Sequence, residues 1–438
     1  MTLTTPITVI RGRFLDIQKT VSQAAEIADQ VRYIEDGVLI TEQGKIRWFG
    51  TWNDAQAHLP INIEIQHYPE QLIIPGMIDT HIHFPQTEMV GAYGEQLLSW
   101  LNTYTFPTEI QFKDKAYASE IAKFFVNELL KNGTTTALVF CTVHPESVDA
   151  LFEAAEQHQM RLIAGKVMMD RHAPEALCDS ADSSYDDSKA LIEKWHGQGR
   201  ALYAITPRFA PTSTPEQLER AGQLKAEHPD VYVHTHLSEN KDEIAWVKDL
   251  FPAQKGYLDV YHHYGLTGQR SVFAHCVHLE DAEWQCMHET DSAIAFCPTS
   301  NLFLGSGLFP LKKTWQQQVK VGLGTDVGAG TSFSLLQTVN EAYKVQQLQG
   351  DKLSAYESLY HATLGGAKAL DLDDKLGNFN VGKEADFVVL NLKPTALQQL
   401  RQSRAKSLED SLFALFTMGD DRNVEATYIY GQKAYSQN

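Results

Sequence analysis

The chain has 438 residues, of which 43% are hydrophobic, so it can bury the core of a full α/β barrel with a smaller domain, or of two ordinary domains. Its formal net charge of −18 argues against a nucleic-acid partner, because binding to a polyanion depends on clustered Lys and Arg side chains. A small neutral or cationic ligand fits this charge better. No uninterrupted apolar run approaches the ~20 residues needed to cross a bilayer, so we expect no membrane partner.

The N-terminus and the cysteines predict a cytoplasmic protein. The first residues, MTLTTPITVIRGR, lack the basic and then apolar order of a signal peptide. The five cysteines are an odd number and form no C-x-x-C pair, which is typical of reduced thiols rather than of a disulfide framework or a structural zinc site. They are Cys141, Cys178, Cys276, Cys286 and Cys297.

Residues 1 to about 70 contain short β-branched runs separated by turn signals, as in 33–40 and 46–49 on either side of Gly44 and Lys45. This pattern predicts a small antiparallel β unit. From Leu72 onward, apolar strands alternate with longer helical patterns, which predicts parallel strands joined by crossover helices.

Eight candidate strands follow in the alternating region. The first begins with the apolar run 72–74 and leads through Pro75 and Gly76 into Met77 and Ile78, and the others are 136–140, 162–168, 202–206, 231–236, 271–275, 293–296 and 320–324. Eight is the number that a TIM (β/α)8 barrel needs. The alternative, an open doubly wound sheet, would usually have a Gly-rich phosphate loop after its first strand, and none follows Ile78.

The C-terminal region contains a strand-like sequence pattern similar to that of the N-terminal region. A helical stretch, 353–370, precedes the strand-like sequence GNFNVGKEADFVVLNL at 377–392. We therefore expect an α/β protein in which residues 74–375 form the barrel, while 1–73 and 376–438 together build a small β-sandwich. The acidic cluster at 179–187 is interpreted as a solvated loop between barrel elements.

His81 and His83 are the first candidate metal ligands. Two residues apart on a strand, they point to the same side, so both imidazoles can hold one ion. They end a predicted buried strand, and parallel α/β barrels keep their chemistry at such carboxyl ends. The alternative is that they are ordinary core or surface histidines.

Further polar residues end later strands, at what would be the same mouth of the barrel. His236 ends the fifth strand, His275 ends the sixth, and Asp326 follows the eighth. Three imidazoles and a carboxylate suit zinc and leave a position open for water, so the predicted ligands are His81, His83, His236 and Asp326. His234 shares the face of His236 two residues deeper and is the rival ligand, although side chains usually pack the barrel at that level.

Two residues near the predicted metal are candidates for proton transfer and charge stabilisation. Glu239 follows His236 by three residues and would be a proton shuttle beside a metal-bound water, or else a solvated surface carboxylate. His275 could ligate the metal or polarise the electrophile, and we favour the second role because it ends a separate strand.

A cytidine-deaminase type of zinc site does not fit this chain. That design needs an H-x-E motif and a P-C-x-x-C motif, which put one His and two Cys on the metal. His278 and Glu280 match the first motif, but Thr299, Ser300 and Asn301 follow Cys297-Pro298, so the thiolate half is missing.

These residues lie in stretches that resemble the amidohydrolase superfamily and, within it, the guanine deaminases. The similar stretches are PGMIDTHIHFPQ at 75–86, LLSWLNTYTFPTE at 97–109, ITPRFAP at 205–211, HTHLSEN at 234–240, AHCVHL at 274–279, CPTSNLFLGSGLFP at 297–310 and GLGTDVGAGTSFS at 322–334, with GKEADFVVL near the end. The H-x-H pair alone identifies only the superfamily. WLNTYTFPTE together with ITPRF and HLSEN is much more specific.

The resemblance implies hydrolytic deamination of guanine to xanthine and ammonia, with one zinc ion per chain and a homodimeric assembly. It implies that Asp326 helps to take the proton of the attacking water, that Glu239 delivers a proton to purine N3 and then to the amino group, and that His275 stabilises the developing charge. The residues it implies in contact with substrate are His83, Phe84, Gln86, Arg208, Phe209, His236, Glu239 and Asp326.

The side chains expected at the purine suit guanine. Arg208 offers fixed donors for the O6 carbonyl, Phe209 offers an aromatic face, and Gln86 can donate and accept along the purine edge. The alternative for Arg208 is a surface salt bridge, and we interpret Trp100 and Phe106 as core rather than as pocket lining. Another heterocycle, such as an oxidised guanine, a pterin or a triazine, is an alternative substrate. A non-catalytic relative is another alternative, but such relatives typically lose metal ligands that this chain retains.

Overall fold

The computed structural model describes residues 7–93 and 97–437. Residues outside these ranges include the outer ends of the two predicted terminal units and the first six residues of the N-terminal stretch MTLTTPITVIRGR. The strands in the N-terminal part are β1 Thr8–Ile17, β2 Val31–Glu42, β3 Lys45–Thr51 and β4 Ile65–Pro75. Those of the central part are β5 Met77–His83, β6 Thr134–Phe140, β7 Arg161–Gly165, β8 Val167–Met168, β9 Leu202–Pro207, β10 Tyr232–Leu237, β11 Ser271–His275, β12 Ala293–Phe296 and β13 Lys320–Leu323. The C-terminal part adds β14 Phe387–Leu390, β15 Val424–Ile429 and β16 Gln432–Ser436.

Helices occupy most of the remaining described chain. The α-helices are α1 Trp52–Ala55, α2 Leu97–Trp100, α3 Phe106–Glu109, α4 Lys115–Lys131, α5 Pro145–Glu156, α6 Ala181–Trp195, α7 Pro215–Glu227, α8 Lys241–Leu250, α9 Tyr257–His263, α10 Asp281–Glu289, α11 Pro298–Phe303, α12 Leu311–Gln317, α13 Leu335–Leu348, α14 Ala355–Ala362, α15 Leu364–Ala369, α16 Ala396–Gln402 and α17 Leu408–Met418. Short 3-10 helices span Ala24–Gln30, Phe84–Met89, Ile110–Lys113, Glu175–Leu177, Ala210–Thr212 and Asp421–Asn423. A π-helical turn, Leu101–Thr105, joins α2 to α3.

Eight of the central strands form the barrel. They pair in parallel in the order β5, β6, β7, β9, β10, β11, β12 and β13, and the two-residue β8 pairs beside β9. Hydrogen bonds close the barrel between its last and first strands: Thr80 Oγ1 donates to the Leu323 carbonyl at 3.0 Å, and the Asp326 amide donates to the His81 carbonyl at 2.9 Å. The predicted TIM barrel is confirmed.

Side chains fill the barrel below the level of its mouth. Ile78, Leu138 and Tyr232 belong to one buried cluster with residues of α15 and the turn after it, which cover the amino-terminal end of the barrel. Tyr232 donates its hydroxyl to the Leu370 carbonyl at 2.6 Å and so ties that cover to β10. The interior is therefore a packed core, and only the opposite mouth is free for chemistry.

Both chain ends build a second sheet outside the barrel, in the order β16, β15, β14, β4, β1, β2 and β3. This sheet curls over itself, because the Ile46 amide donates to the Lys383 carbonyl and the Ala385 amide to the Gly44 carbonyl, each at 2.8 Å. The two halves of this curled sheet enclose Phe14 and its aromatic neighbours. The small β-sandwich expected from both chain ends is thus a single sheet folded onto itself.

The apolar run at residues 72–74 belongs to the curled sheet and not to the barrel, contrary to the sequence-based assignment. Leu72 lies opposite Leu390 and Ile74 opposite Val388 in the pairing of β4 with β14. Gly76 separates β4 from β5, and a β-carbon there would collide with the Thr135 side chain. The end of β4 and the start of β5 are both hydrophobic, so composition alone does not show where the chain passes from the curled sheet to the barrel.

The acidic segment at 179–187 was wrongly predicted as a loop. α6 begins at Ala181, and Ser180 caps it by accepting from the Ser183 amide at 3.0 Å. Asp182 lies in the first turn of this helix, where an acidic side chain is favourable. Asp179 precedes the helix and forms an ion pair with the fully buried Lys166.

Two further observations concern the described residues as a whole. None of the helices described is long and apolar enough to cross a bilayer. All five cysteines are free thiols, and three of them are buried.

Candidate active site

A β-bulge turns the first two candidate ligands into the barrel mouth. In the pairing of β5 with β6, Asp79 lies opposite Ala137 and Ile82 opposite Val139, so β5 carries one extra residue between these pairs. Ile78 faces the barrel interior, whereas Ile82 packs in the outer core with the helices. The extra residue therefore reverses the alternation and directs His81 and His83 inward.

The donor atoms form two overlapping groups that share His81, one with His83 and His236 and the other with Asp326 and His275. Asp326 Oδ1 lies 3.1 Å from His81 Nε2 and 3.2 Å from His83 Nε2, and His236 Nε2 lies 3.2 Å from His83 Nε2. A tetrahedral zinc ion with bonds of about 2.0–2.1 Å would hold its ligand atoms roughly 3.3 Å apart. The donor set therefore has the chemistry and the spacing that a zinc ion requires.

The protonation states of these groups also suit metal binding, which needs neutral imidazoles and an ionised carboxylate. Burial lowers the pKa of His83 to about 4 and lowers the pKa of His236 well below its usual value. Burial alone would raise the pKa of Asp326, but the adjacent His81 and His83 outweigh it and hold this pKa well below its usual range.

The second ring nitrogen of two predicted ligands is anchored by a neighbour. His236 Nδ1 lies 2.6 Å from the Arg208 carbonyl, and His81 Nδ1 lies 2.8 Å from His234 Nε2. Such partners fix the orientation of a metal-binding imidazole. His234 thus lies behind His81, and it is absent from the cluster of donor atoms that the described residues form.

Asp79 connects the strand of the histidines to the loop of Asp326. Its carboxylate accepts hydrogen bonds from the His81 amide at 3.1 Å, from the Thr325 amide at 3.1 Å and from Thr325 Oγ1 at 2.5 Å. Asp79 is fully buried, so these bonds replace the water that a carboxylate would otherwise bind. It therefore fixes the distance between ligands that are far apart in the chain.

Glu239 is a buried carboxyl group beside the donor cluster. Its Oε1 accepts from Ser306 Oγ at 3.0 Å, and its Oε2 lies 3.5 Å from His275 Nε2. Burial raises the pKa of Glu239 well above its usual value, with a further contribution from Asp326. The protonated acid that this favours is the form that can donate a proton.

His275 is held in one tautomer by Asn301. The amide nitrogen of Asn301 lies 2.9 Å from His275 Nδ1, and an amide nitrogen can only donate, so the ring proton is on Nε2. That nitrogen faces Asp326 Oδ2 at 3.8 Å. His275 and Asp326 both have positive φ angles, 72° and 51°, a backbone conformation that is uncommon for non-glycine residues.

The residues expected at the substrate converge on one cavity next to the donor cluster, with Phe84 as the exception. The cavity is lined by His83, Gln86, Trp100, Leu101, Arg208, Phe209, His236, Glu239, Glu243, His275, Leu304, Asp326 and Ala329. Phe84 instead packs in the core, with its ring centroid 5.0 Å from Phe112 and 5.6 Å from Phe125, because it begins a 3-10 turn.

Trp100 and Phe106, which the sequence analysis assigned to the core, lie at or near the cavity. Trp100 is 2% exposed and lines the cavity, and its indole nitrogen has no hydrogen-bond partner among the described residues. The Phe106 ring lies 5.5 Å from the guanidinium carbon of Arg208. Arg208 is itself buried, and its ion pair is with the equally buried Glu109 at 2.7 Å, not with a surface residue.

Sequence reasoning did not single out Asp79, Glu109, Asn301 or Ser306. Each of them lies inside a stretch that resembles the guanine deaminases, so those stretches contain a signal for them. Nothing in the spacing of these residues reveals their partners, which lie on other strands and loops.

Comparisons with known proteins agree over almost the whole chain. The sequence matches the amidohydrolase family over residues 72–434. It is 63% identical over 429 residues to guanine deaminase of Escherichia coli (strain K12), covering 98% of each chain. The solved structure of E. coli guanine deaminase superposes with a TM-score of 0.96 at 61% identity, covering 99% of this chain and 100% of that one.

A second solved structure is more distant in sequence but similar in fold. The crystal structure of guanine deaminase from C. acetobutylicum with bound guanine in the active site superposes with a TM-score of 0.88 at 30% identity, covering 98% of this chain and 100% of that one. The fold, the buried histidine and carboxylate cluster and these similarities lead to one conclusion. The chain belongs to the amidohydrolase family and, within it, to the guanine deaminases.

Proposed function

We propose that this chain is a zinc-dependent enzyme that hydrolyses guanine to xanthine and ammonia. The observation that carries the proposal is the meeting of a metal donor cluster, a buried acid and a buried arginine in one cavity. The relatives named guanine deaminase support the choice of substrate, including the one whose structure contains guanine.

One zinc ion per chain would be held by His81, His83, His236 and Asp326. When bound, the ion would act as a Lewis acid and lower the pKa of a coordinated water from about 15.7 toward about 7. Asp326 would be both a ligand of the ion and the base that accepts a proton from the attacking water. His234 and the Arg208 carbonyl would keep two of the imidazoles in their binding orientation.

The purine would be positioned by its edge and its face. Arg208 donates to the O6 carbonyl, which guanine has and adenine lacks. Gln86 contacts the purine edge, and Phe209 covers the ring face. His83, His236 and Glu239 contact the base near C2, the carbon that is attacked. We omit the Phe84 side chain from this set because it packs in the core.

Two protons must move in the reaction, and the cavity contains groups for both steps. Asp326 accepts a proton from the attacking water while the oxygen atom of that water forms a bond to C2. Glu239 delivers its proton to N3, then takes the remaining proton of the attacking water from the hydroxyl group on C2 and passes it to the amino group as the C2–N bond breaks. Ammonia leaves, xanthine remains, and the proton held by Asp326 returns to Glu239. The Nε2–H of His275 stabilises the charge that develops near C2.

A substrate panel scored by ammonia release tests this proposal, with the zinc content of the same sample measured in parallel. We expect rapid release from guanine and very little from adenine, a pterin or a triazine. Rapid release from one of the other heterocycles, with none from guanine, would overturn the choice of substrate. A protein that binds no zinc and releases no ammonia would instead be a non-catalytic relative.

We also propose a cytoplasmic homodimer. Five free cysteines suit a reducing compartment, where thiols stay unpaired, and the resemblance to guanine deaminases implies the dimer. Light scattering of the purified protein should give twice the chain mass of 49.2 kDa. The mass of a single chain would contradict the dimer.

A further inference from the structure

Glu109 joins two of the residues that would contact the purine. It lies at the end of α3 and is 1% exposed. Its Oε2 accepts from Arg208 at 2.7 Å, and its Oε1 accepts from Gln86 Nε2 at 3.2 Å. Gln86 Oε1 in turn accepts from the Gly328 amide at 3.1 Å, so both ends of that side chain are held.

The carboxylate determines which way the Gln86 amide faces. An ionised carboxylate can only accept hydrogen bonds, so the amide nitrogen of Gln86 must point to Glu109 and the oxygen to Gly328. The remaining N–H donors of Arg208 are available to the ligand. The orientation of the guanidinium plane is set by the contact with Glu109 and by the Phe106 ring, whose centroid lies 5.5 Å from the guanidinium carbon. The donors and acceptors for the purine edge are therefore fixed before the base arrives.

Glu109 also balances the charge of the pocket. A buried arginine without a partner would attract an anionic ligand strongly, because water does not screen it. Paired with Glu109, Arg208 offers directed donors but no net charge. A neutral base can use those donors, whereas an anionic base would also face the Glu109 carboxylate.

We propose that Glu109 is a positioning residue that fixes Gln86 and Arg208 and makes the pocket select neutral over anionic purines. The inference rests on the proposed guanine deamination and adds a residue and a selection rule to it. Glu109 acts through its two neighbours and needs no contact with the base itself.

The test compares Glu109→Gln with the unchanged protein. The substitution keeps the shape and removes the charge. We expect the KM for guanine to rise about 10- to 100-fold, since a hydrogen bond to a charged group is lost, while kcat falls much less and the zinc content is unchanged. Inhibition by urate, a purine that is anionic at pH 7, should become stronger in the variant.

A second variant separates charge from geometry. Glu109→Asp keeps the charge but is too short to hold both partners, so guanine binding should weaken while urate inhibition stays as weak as in the unchanged protein. The matched control is Glu384→Gln, which removes a partly buried carboxylate that pairs with Arg161 and Arg200 where the barrel meets the curled sheet. It should lower the melting temperature without changing the preference between guanine and urate.

Three results would overturn the proposal. These are an unchanged KM for guanine in Glu109→Gln, no gain in urate inhibition, or equal effects of Glu109→Gln and Glu384→Gln on the preference. Calorimetric binding of guanine is measured alongside turnover. If the wild-type protein binds guanine without releasing ammonia, the proposed deamination is refuted, but the guanine affinities of the Glu109 variants can still be compared. If the wild-type protein binds no purine, both proposals are refuted.

Discussion

His234 Nε2 lies 2.8 Å from Nδ1 of His81, while the other nitrogen of the His81 ring lies 3.1 Å from Asp326. His81 is therefore held from both sides, by a neutral base behind it and by a carboxylate in front. His234 had been a rival ligand by sequence, since it shares a strand face with His236. Its place behind His81 gives it a supporting role instead.

We expect His234→Ala to weaken zinc binding about 10- to 100-fold, because the imidazole of His81 loses the partner that orients it. Competition with a zinc chelator measures the affinity directly. His361→Ala is the matched control, since His361 is also buried but lies far from the donor cluster. Equal zinc affinities in the two variants would contradict the supporting role.

His83→Ala should remove a ligand outright, and the purified variant should contain much less than one zinc ion per chain. Three ligands remain, and a tetrahedral site that loses one protein ligand binds the metal far more weakly. Elemental analysis after dialysis against metal-free buffer provides the measurement. A full complement of zinc would show that His83 is not a ligand.

Glu239→Gln should keep the zinc and lose turnover. The amide has the shape of the acid and can still accept from Ser306, but it cannot carry a proton. General acid and base catalysis is typically worth about 10²- to 10⁴-fold, and we expect kcat to fall by at least that range. Glu283→Gln, a change of another buried carboxyl group outside the cavity, should leave turnover close to normal.

Arg208 should decide which base is deaminated. Adenine presents an amino group at position 6, which would set donor against donor in a closed pocket, so we expect discrimination of about 10⁴-fold or more in kcat/KM. Arg208→Ala should lose most activity on guanine with zinc still bound, and Arg208→Lys should recover little because lysine lacks the planar fork. Similar kcat/KM values for guanine and adenine in the unchanged protein would refute this role.

Trp100→Phe should weaken guanine binding modestly. Trp100 lines the cavity, and within the described part of the chain its buried indole N–H has no partner, so we expect it to donate to a bound base. Loss of one neutral hydrogen bond should raise the KM about 2- to 10-fold with little change in kcat. An unaltered KM would return Trp100 to a purely packing role.

The sequence predicted the barrel because most of its strands contain compact apolar runs, although the run assigned to the first strand belongs to β4 of the curled sheet. It predicted that His81 and His83 share a face, but not that the face is the inner one. Strict alternation from Ile78 would turn both rings outward, and only the extra residue in the β5 bulge brings them in. A bulge depends on the register with the neighbouring strand, which a single sequence does not display.

Glu109 shows a second limit of prediction from the sequence, which is that contacts between residues far apart in the chain are not visible in it. Its partners Gln86 and Arg208 are 23 and 99 residues away, so its importance comes from contacts that the fold creates. Within its own stretch it resembles the end of a short surface helix. Phe84, by contrast, was expected at the substrate because of the resemblance to the guanine deaminases, and in the structure its side chain packs in the core.

The interleaving of the two chain ends in the curled sheet determines when that sheet can be completed on the ribosome. β4 pairs with β1 on one side and with β14 on the other, and β14 is translated only after every strand of the barrel. Until then, one edge of β4 keeps unpaired N–H and C=O groups, which can pair with the same edge of another nascent chain. We therefore expect translation that stalls after the barrel to leave this edge of β4 open to aggregation, and the pairing of β14 with β4 to close it.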